Sequence, residues 1–323
     1  MKNILSGVLL ITLSIASFFA YPAFVSFTSH KKILYTIDSP LPQLLTKLFP
    51  TATDKRYIFS PNLNRVLGIT IKKPNLTASS ALMYDLSTNK LIISNNIKER
   101  RPIASLTKIA TAIVALENEP LDKVMTVSKN AAEIGEDSMG LSEGEKYTLK
   151  QLLYGLLMQS GNDAAETIAQ NSKFGRDNFV YLMNKKAEDL GLTDTHFTNP
   201  TGLEGDGNQY STAYDLLLLT NYALQNSFFK EIVSTVSYDI PYSADHKASS
   251  LYNETNLLTT YPGVKGVKTG YTNEAGLCLV TYLESEGHNI IGIVLNAENR
   301  REEMKEMLDY TLKAQGVNPP PHS

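Results

Sequence analysis

The spacing of polar and apolar positions changes character several times along the chain, and each change marks a part. After Lys2, residues Ile4 to Phe27 carry no charge and are mostly apolar. From His30 to about Thr77 no period is sustained, and prolines at 40, 42, 50, 61 and 74 interrupt the pattern. A globular pattern begins near Ser79. Residues 80–84 and 90–94 read as a hairpin around Ser87-Thr88-Asn89-Lys90. Past Pro102, the positions Leu106, Ile109, Ala110, Ile113, Val114 and Leu116 recur at helical spacing as far as Asn118. Ser105 stands where a cap is expected.

Residues 121–147 are polar and rich in loop formers. Thr148 with Gln151 is a capping-box signature for an apolar helix over 149–158. That helix breaks at Gln159-Ser160-Gly161-Asn162 and restarts at Asp163. Phe179, Leu182, Met183, Ala187 and Leu190 predict another helix, stopped by Gly191. A turn-rich stretch covers 199–207, and residues 212–224 are again helical. Strands follow at 264–269, 277–283 and 290–296, with turns at Thr272-Asn273-Glu274 and Glu286-Gly287. A charged amphipathic helix from Arg300 to about Lys313 closes the pattern, before Gly316 and a proline-rich tail. Strands at both ends with helices between predict one mixed sheet assembled from both termini, with a helical lobe inserted.

Composition narrows the function. The 323 residues are 42% hydrophobic and 20% charged, which is globular. A formal net charge of -3 gives no basic footprint, so nucleic acid is not an expected partner. Cys278 is the single cysteine, which excludes an intrachain disulfide and reads as a buried strand residue. The apolar stretch over 4–27 is long enough for a membrane span, and no clean small-x-small cleavage site follows it. An uncleaved N-terminal anchor is favoured over a cleaved signal peptide. Either one exports the remainder, to the periplasm or the outer face of the cytoplasmic membrane.

One position in this pattern breaks a local rule. A capping box wants Glu or Gln three residues after Ser105, but Lys108 stands there, a cation at the positive end of the helix dipole. The positions i and i+3 share a face, so the hydroxyl and the amine can meet. The field that makes Lys108 a poor helix residue also lowers its pKa, as a lysine base requires. The five histidines are scattered, without metal-ligand spacing or a Ser-His-Asp context, and read as surface or turn residues. The amine of Lys108 is therefore the best base available to Ser105.

Ser-x-x-Lys occurs four times in the chain and Ser-x-Asn five times, so neither is informative alone. Only Ser105 starts a long apolar helix, and only Ser160 lies at a break between two helices. Lys268-Thr269-Gly270 occurs once, on a predicted strand. In that order the three triplets mark penicillin-binding proteins and class A β-lactamases. The longer stretches Arg101-Pro102-Ile103-Ala104-Ser105-Leu106-Thr107-Lys108, Ser160-Gly161-Asn162-Asp163-Ala164-Ala165, Phe197-Thr198-Asn199-Pro200-Thr201-Gly202-Leu203 and Val267-Lys268-Thr269-Gly270-Tyr271-Thr272 resemble the D-alanyl-D-alanine carboxypeptidases, the low-molecular-mass penicillin-binding proteins. The match runs over roughly 79–313.

The resemblance implies the serine β-lactamase/DD-peptidase fold, a mixed α+β architecture with a mainly antiparallel sheet flanked by helices and a helical subdomain. It implies that Ser105 attacks the penultimate D-alanine carbonyl, that Lys108 takes its proton, and that Ser160 relays a proton to the leaving D-alanine. Asn162 would bond the substrate backbone, and Lys268 and Thr269 would hold the terminal carboxylate. The Ser105 and Tyr271 N–H groups would form the oxyanion hole, and Gly270 would let substrate lie along the strand edge. Expected partners are stem peptides ending in D-Ala-D-Ala, β-lactams as covalent inhibitors, and the membrane; no cofactor or metal is expected. The resulting organisation is an anchor or signal over 1–29, a stalk or extension over 30–78, the catalytic domain over 79–315 and a tail over 316–323.

Relatives often carry His where this chain has Thr201 and Gln209, which bears on the cleft rim. The same residues would also serve a DD-endopeptidase, a catalytically weak peptidoglycan-binding protein or a β-lactamase. The last is disfavoured because Glu204-Gly205-Asp206-Gly207-Asn208 reads as a turn and not as the loop that positions a deacylating water.

Overall fold

The computed structural model describes residues 59–64 and 71–322. The expected anchor and most of the expected stalk lie outside them.

Strand β1 (Ser80–Asp85) is buried at every position, because it has a neighbour on both edges and a layer on both faces. It pairs with β2 (Lys90–Asn95) on one side and with β9 (His288–Ala297) on the other. With β7 (Val264–Thr272) and β8 (Gly276–Ser285) the order is β2-β1-β9-β8-β7. Every pairing in this sheet is antiparallel, in line with the mainly antiparallel sheet that the resemblance implies and unlike the mixed one suggested by the strand pattern alone. The reason lies in the connections. β7, β8 and β9 follow one another through tight turns, and two-residue hairpins join only antiparallel strands. At Glu286-Gly287 both residues have positive φ, 47° and 81°, as a type I′ turn requires. Cys278 is fully buried on β8.

Alternation along β1 separates the two cores. Leu82 and Tyr84 face the helical lobe, whereas Ala81 and Met83 face α9 (Arg300–Ala314) with Met304, Met307 and Leu308. The helical lobe comprises α1 (Lys108–Asn118), α3 (Leu149–Met158), α4 (Asn162–Asn171), α5 (Arg176–Asp189) and α6 (Ala213–Ala223), after a short α2 (Lys129–Ala132). The Thr148–Gln151 capping box is present at the start of α3. Helix α6 packs on β1 and β9 and closes the sheet's second face.

Three elements have no counterpart in the sequence reading: α7 (Ser227–Ser234), the β5–β6 hairpin (Ser237–Ile240 with Ser249–Tyr252) and the single turn α8 (Leu257–Thr260). Each buries at most three residues, which is too few to set a visible period. A further small pair, β3 (Val124–Thr126) and β4 (Lys146–Thr148), lies within the loop-rich stretch. Upstream of β1, the N–H groups of Thr77 and Ala78 donate to the buried Glu303 carboxylate, which ties that segment to α9. One histidine departs from expectation. His246 is buried, stacked on Tyr147 and bonded to Gln151 and the Lys247 carbonyl.

Candidate active site

Ser105 does not cap the helix. It sits inside a 3₁₀ turn, Ala104–Thr107, that runs into α1, and makes no capping hydrogen bond. Ala104, immediately before it, has φ +48°, a conformation costly for any residue with a side chain. Two glycines press on this turn. A Cβ at Gly202 would lie 2.1 Å from the Ala104 carbonyl oxygen, and one at Gly270 would lie 3.1 Å from the Ile103 oxygen. Gly270 thus also packs closely on the serine's own turn, where an added Cβ would need a shift of a few tenths of an ångström.

Lys108, the first residue of α1, is fully buried. Its Nζ lies 2.7 Å from Ser105 Oγ, 2.7 Å from Asn162 Oδ1 and 2.7 Å from the Thr201 carbonyl oxygen. Its pKa is pushed well below the ordinary lysine value, first by burial and then by the nearby Lys268 ammonium. All three oxygens can accept from the Lys108 ammonium; in the neutral form, two N–H bonds serve the carbonyl oxygens and leave the nitrogen lone pair for the Ser105 hydroxyl hydrogen. Thr201 therefore lies beneath the nucleophile and not on the cleft rim. The other position lacking the expected histidine, Gln209, accepts the Thr198 N–H at 3.0 Å and braces the same loop.

Asn162 opens α4 and ties three segments together. Besides Lys108, its Nδ2 donates to the Gly135 carbonyl at 3.1 Å, and its backbone N–H donates to the Asp137 carbonyl at 2.8 Å. Its oxygen is already committed within the protein. Ser160, in the break between α3 and α4, has φ +59°. Its buried hydroxyl has no hydrogen-bond partner among the described residues and lines the cleft. A buried hydroxyl left unbonded is costly unless something else comes to meet it.

β7 is the sheet's edge strand and forms the opposite wall. Lys268 is buried, with Nζ 3.0 Å from the Thr269 carbonyl oxygen. Its pKa is lowered to about 8, chiefly by burial and further by Arg300, against the opposing pull of Glu254 and Asp137. Thr269 Oγ1 donates to Glu254 at 3.1 Å, and Arg300 Nη1 donates to the Gly270 carbonyl at 2.7 Å. Tyr271 is exposed at the rim. The cleft has a volume of about 600 Å³ and brings Ser160, Thr269, Gly270 and Tyr271 together with Glu136, Asp137, Glu254 and Arg300.

The last four residues escape the sequence reading. Arg300 carried the same signal as Lys108, being a cation in the first turn of a helix. Glu254 carried none. Glu204, which heads the turn weighed as a deacylating loop, instead accepts the Glu274 N–H at 2.9 Å in the β7–β8 turn.

A serine hydroxyl hydrogen-bonded to a buried lysine, beside an edge strand that carries a second buried lysine, defines a serine hydrolase of the DD-peptidase/β-lactamase-like fold. The family model described as D-alanyl-D-alanine carboxypeptidase, peptidase S11, matches residues 68–299, and the chain belongs to that family. It is 36% identical over 251 residues to the D-alanyl-D-alanine carboxypeptidase DacF of Bacillus subtilis, covering 75% of this chain and 64% of DacF. It is 31% identical to a D-alanyl-D-alanine endopeptidase of Escherichia coli, covering 80% of this chain and 84% of that protein. The crystal structure of the Streptomyces K15 DD-transpeptidase superposes with a TM-score of 0.71 at 32% identity, covering 75% of this chain and all of that one.

Proposed function

We propose that this protein is a serine-type DD-carboxypeptidase that removes the terminal D-alanine from peptidoglycan stem peptides through an acyl-enzyme on Ser105. The observation that carries the reading is the environment of Lys108. Its two carbonyl acceptors direct the amine's lone pair toward the Ser105 hydroxyl, and its burial makes the neutral form accessible. Lys108 takes the hydroxyl proton as Ser105 Oγ bonds to the penultimate D-alanine carbonyl carbon. The Ser105 and Tyr271 N–H groups receive the oxyanion. Collapse of the tetrahedral adduct breaks the peptide bond. The proton on Lys108 returns through Ser160, whose otherwise unbonded hydroxyl gives one proton to the departing amine as it receives another, so that Lys108 is neutral again. Water then attacks the ester with Lys108 again as base. Lys268 and Thr269 hold the terminal carboxylate, and the substrate lies along β7 as an added strand. Asn162 acts by holding Lys108 and the 135–137 loop.

The role belongs outside the cytoplasmic membrane, and the apolar stretch over 4–27 would serve as the anchor. Among the described residues no helix is long and apolar enough to cross a membrane. The relatives named as endopeptidases are consistent with a second reading, cleavage of crosslinks by the same residues, without favouring it.

The test uses the detergent-solubilised full chain. It should be labelled covalently by a fluorescent penicillin and release D-alanine from a D-Ala-D-Ala peptide, and Ser105→Ala should abolish both. Product from crosslinked muropeptides alone would favour the endopeptidase. Label without any product would refute hydrolysis, and rapid loss of label with an opened β-lactam would point to a β-lactamase.

A further inference from the structure

The cleft places a fixed carboxylate against the edge that is meant to receive one. Glu254 follows the β5–β6 hairpin, and its backbone is pinned on every side. Its N–H donates to the Met158 carbonyl at 3.0 Å, two residues before Ser160. The Asn253 side chain donates to the Val233 and Thr235 carbonyls, and the Thr255 N–H donates back to Asn253 Oδ1 at 2.9 Å. What remains free is the Glu254 side chain, which lines the cleft and accepts the Thr269 hydroxyl at 3.1 Å.

We propose that Glu254 is a positioning residue for the carboxylate-binding edge, the resident counter-ion that holds the Thr269 hydroxyl and keeps the Lys268 ammonium charged until substrate arrives. The assignment rests on the carboxypeptidase reading above. Lys268 is buried, and four charged groups bear on it: Glu254 before α8, Asp137 in the loop before β4, Arg300 at the start of α9 and Lys108 at the start of α1. The two cations favour proton loss, and the two carboxylates oppose it. Of the carboxylates, Glu254 is the one joined to Lys268 through Thr269, whose hydroxyl donates to Glu254 at 3.1 Å and whose carbonyl accepts from Lys268 Nζ at 3.0 Å. Its charge has two opposite effects on catalysis. It repels the terminal carboxylate of the substrate, which weakens binding. It also preserves the ammonium that binds that carboxylate, which extends activity to higher pH.

Removing the charge without changing the shape therefore produces crossing pH profiles. For Glu254→Gln, acylation by benzylpenicillin, an anionic acyl donor, should be faster than wild type near pH 6, through tighter binding. The alkaline limb should move down by about one pH unit, so that the rate at pH 9 falls roughly 10-fold. Glu254→Asp should restore most of the alkaline limb. Independently of turnover, ¹³C NMR of labelled lysine, with the Lys268 signal identified by its loss in Lys268→Gln, should show Lys268 titrating lower in Glu254→Gln. Parallel profiles, or an unmoved Lys268 titration, would overturn the counter-ion role while leaving wild-type acylation intact. If wild type itself is not acylated the carboxypeptidase reading fails, and the NMR titration still decides the role of Glu254.

Discussion

The serine turn is wedged between two glycines, and the two contacts differ enough to be told apart by experiment. At Gly202, an alanine Cβ would meet the Ala104 carbonyl oxygen at 2.1 Å, its carbon at 2.5 Å and the Ser105 nitrogen at 3.0 Å. Ordinary contact begins near 3.4 Å, so the turn must retreat by about 1 Å, and backbone cannot swing aside as a flexible side chain does. Gly202 also sits at φ +90°, which adds strain of roughly 1–2 kcal/mol for an L-residue. At Gly270, the new atom would meet the Ile103 oxygen at 3.1 Å, Ala104 Cβ at 3.3 Å and the Leu106 nitrogen at 3.3 Å, with no such φ penalty. A few tenths of an ångström relieve that contact.

Gly202→Ala should therefore lose about 2–4 kcal/mol of stability. It should also lose roughly 100-fold in acylation rate, the penalty of a 1 Å misplacement of a reacting group. Gly270→Ala should lose less than about 10-fold. The assay is stopped-flow acylation by fluorescent penicillin, read with a thermal melt of each variant. Wild-type acylation by Gly202→Ala, or a larger loss in Gly270→Ala, would show that the turn is not held by this contact.

Lys108→Ala should reduce acylation by roughly 10²–10⁴-fold, because no other base lies within hydrogen-bonding reach of Ser105 among the described residues; an unchanged labelling rate would remove the lysine from the mechanism. Lys268 should leave a mark on stability. Its folded pKa, about 8, lies below the ordinary value of 10.5, so the unfolded chain binds more protons between those limits and this group's contribution to stability rises with pH across them. That difference is worth roughly 3 kcal/mol. In urea melts, Lys268→Met should be more stable than wild type below pH 8, and the gain should fade by pH 10.5. Asp163→Ala should cost about 2–4 kcal/mol, because the Met139 and Leu141 N–H groups that its carboxylate accepts at 2.9 Å would be stranded in a buried loop. Arg176→Ala should cost about 2 kcal/mol by leaving the buried Glu166 carboxylate without its partner, to be measured by the same melts.

The Ser105–Lys108 pair was legible because its defects as a helix start are local. A lysine three positions after a serine at a helix start is visible without any fold. The same holds for the capping box at Thr148 and the type I′ turn at Glu286-Gly287. The support of the site was not legible. Thr201 contributes a backbone carbonyl, which no residue type advertises. Glu254 is a surface glutamate until the β5–β6 hairpin brings it beside Thr269, and that hairpin buries too little to announce itself. The resemblance implies that Asn162 bonds the substrate backbone; what it could not show is that the Asn162 oxygen also holds Lys108. The antiparallel sheet differs from the mixed one for a related reason. Strand direction depends on which strands become neighbours, and β1 finds β9 across almost the whole domain.

That pairing has a consequence for how the protein comes into being. Residues 80–85 leave the ribosome early, with only β2 as a partner, and their other edge stays open until residues 288–297 have been made. Neither core can close around β1 before then, and the loop to be closed spans the entire helical lobe. Folding should be slow, as it is for chains dominated by distant contacts. A chain cut short before β9 should have no acylating activity at all, because β7, which carries Lys268 and packs on the serine's turn, is joined to β1 only through β8 and β9. The nascent chain is thereby held inert until β9 has been made.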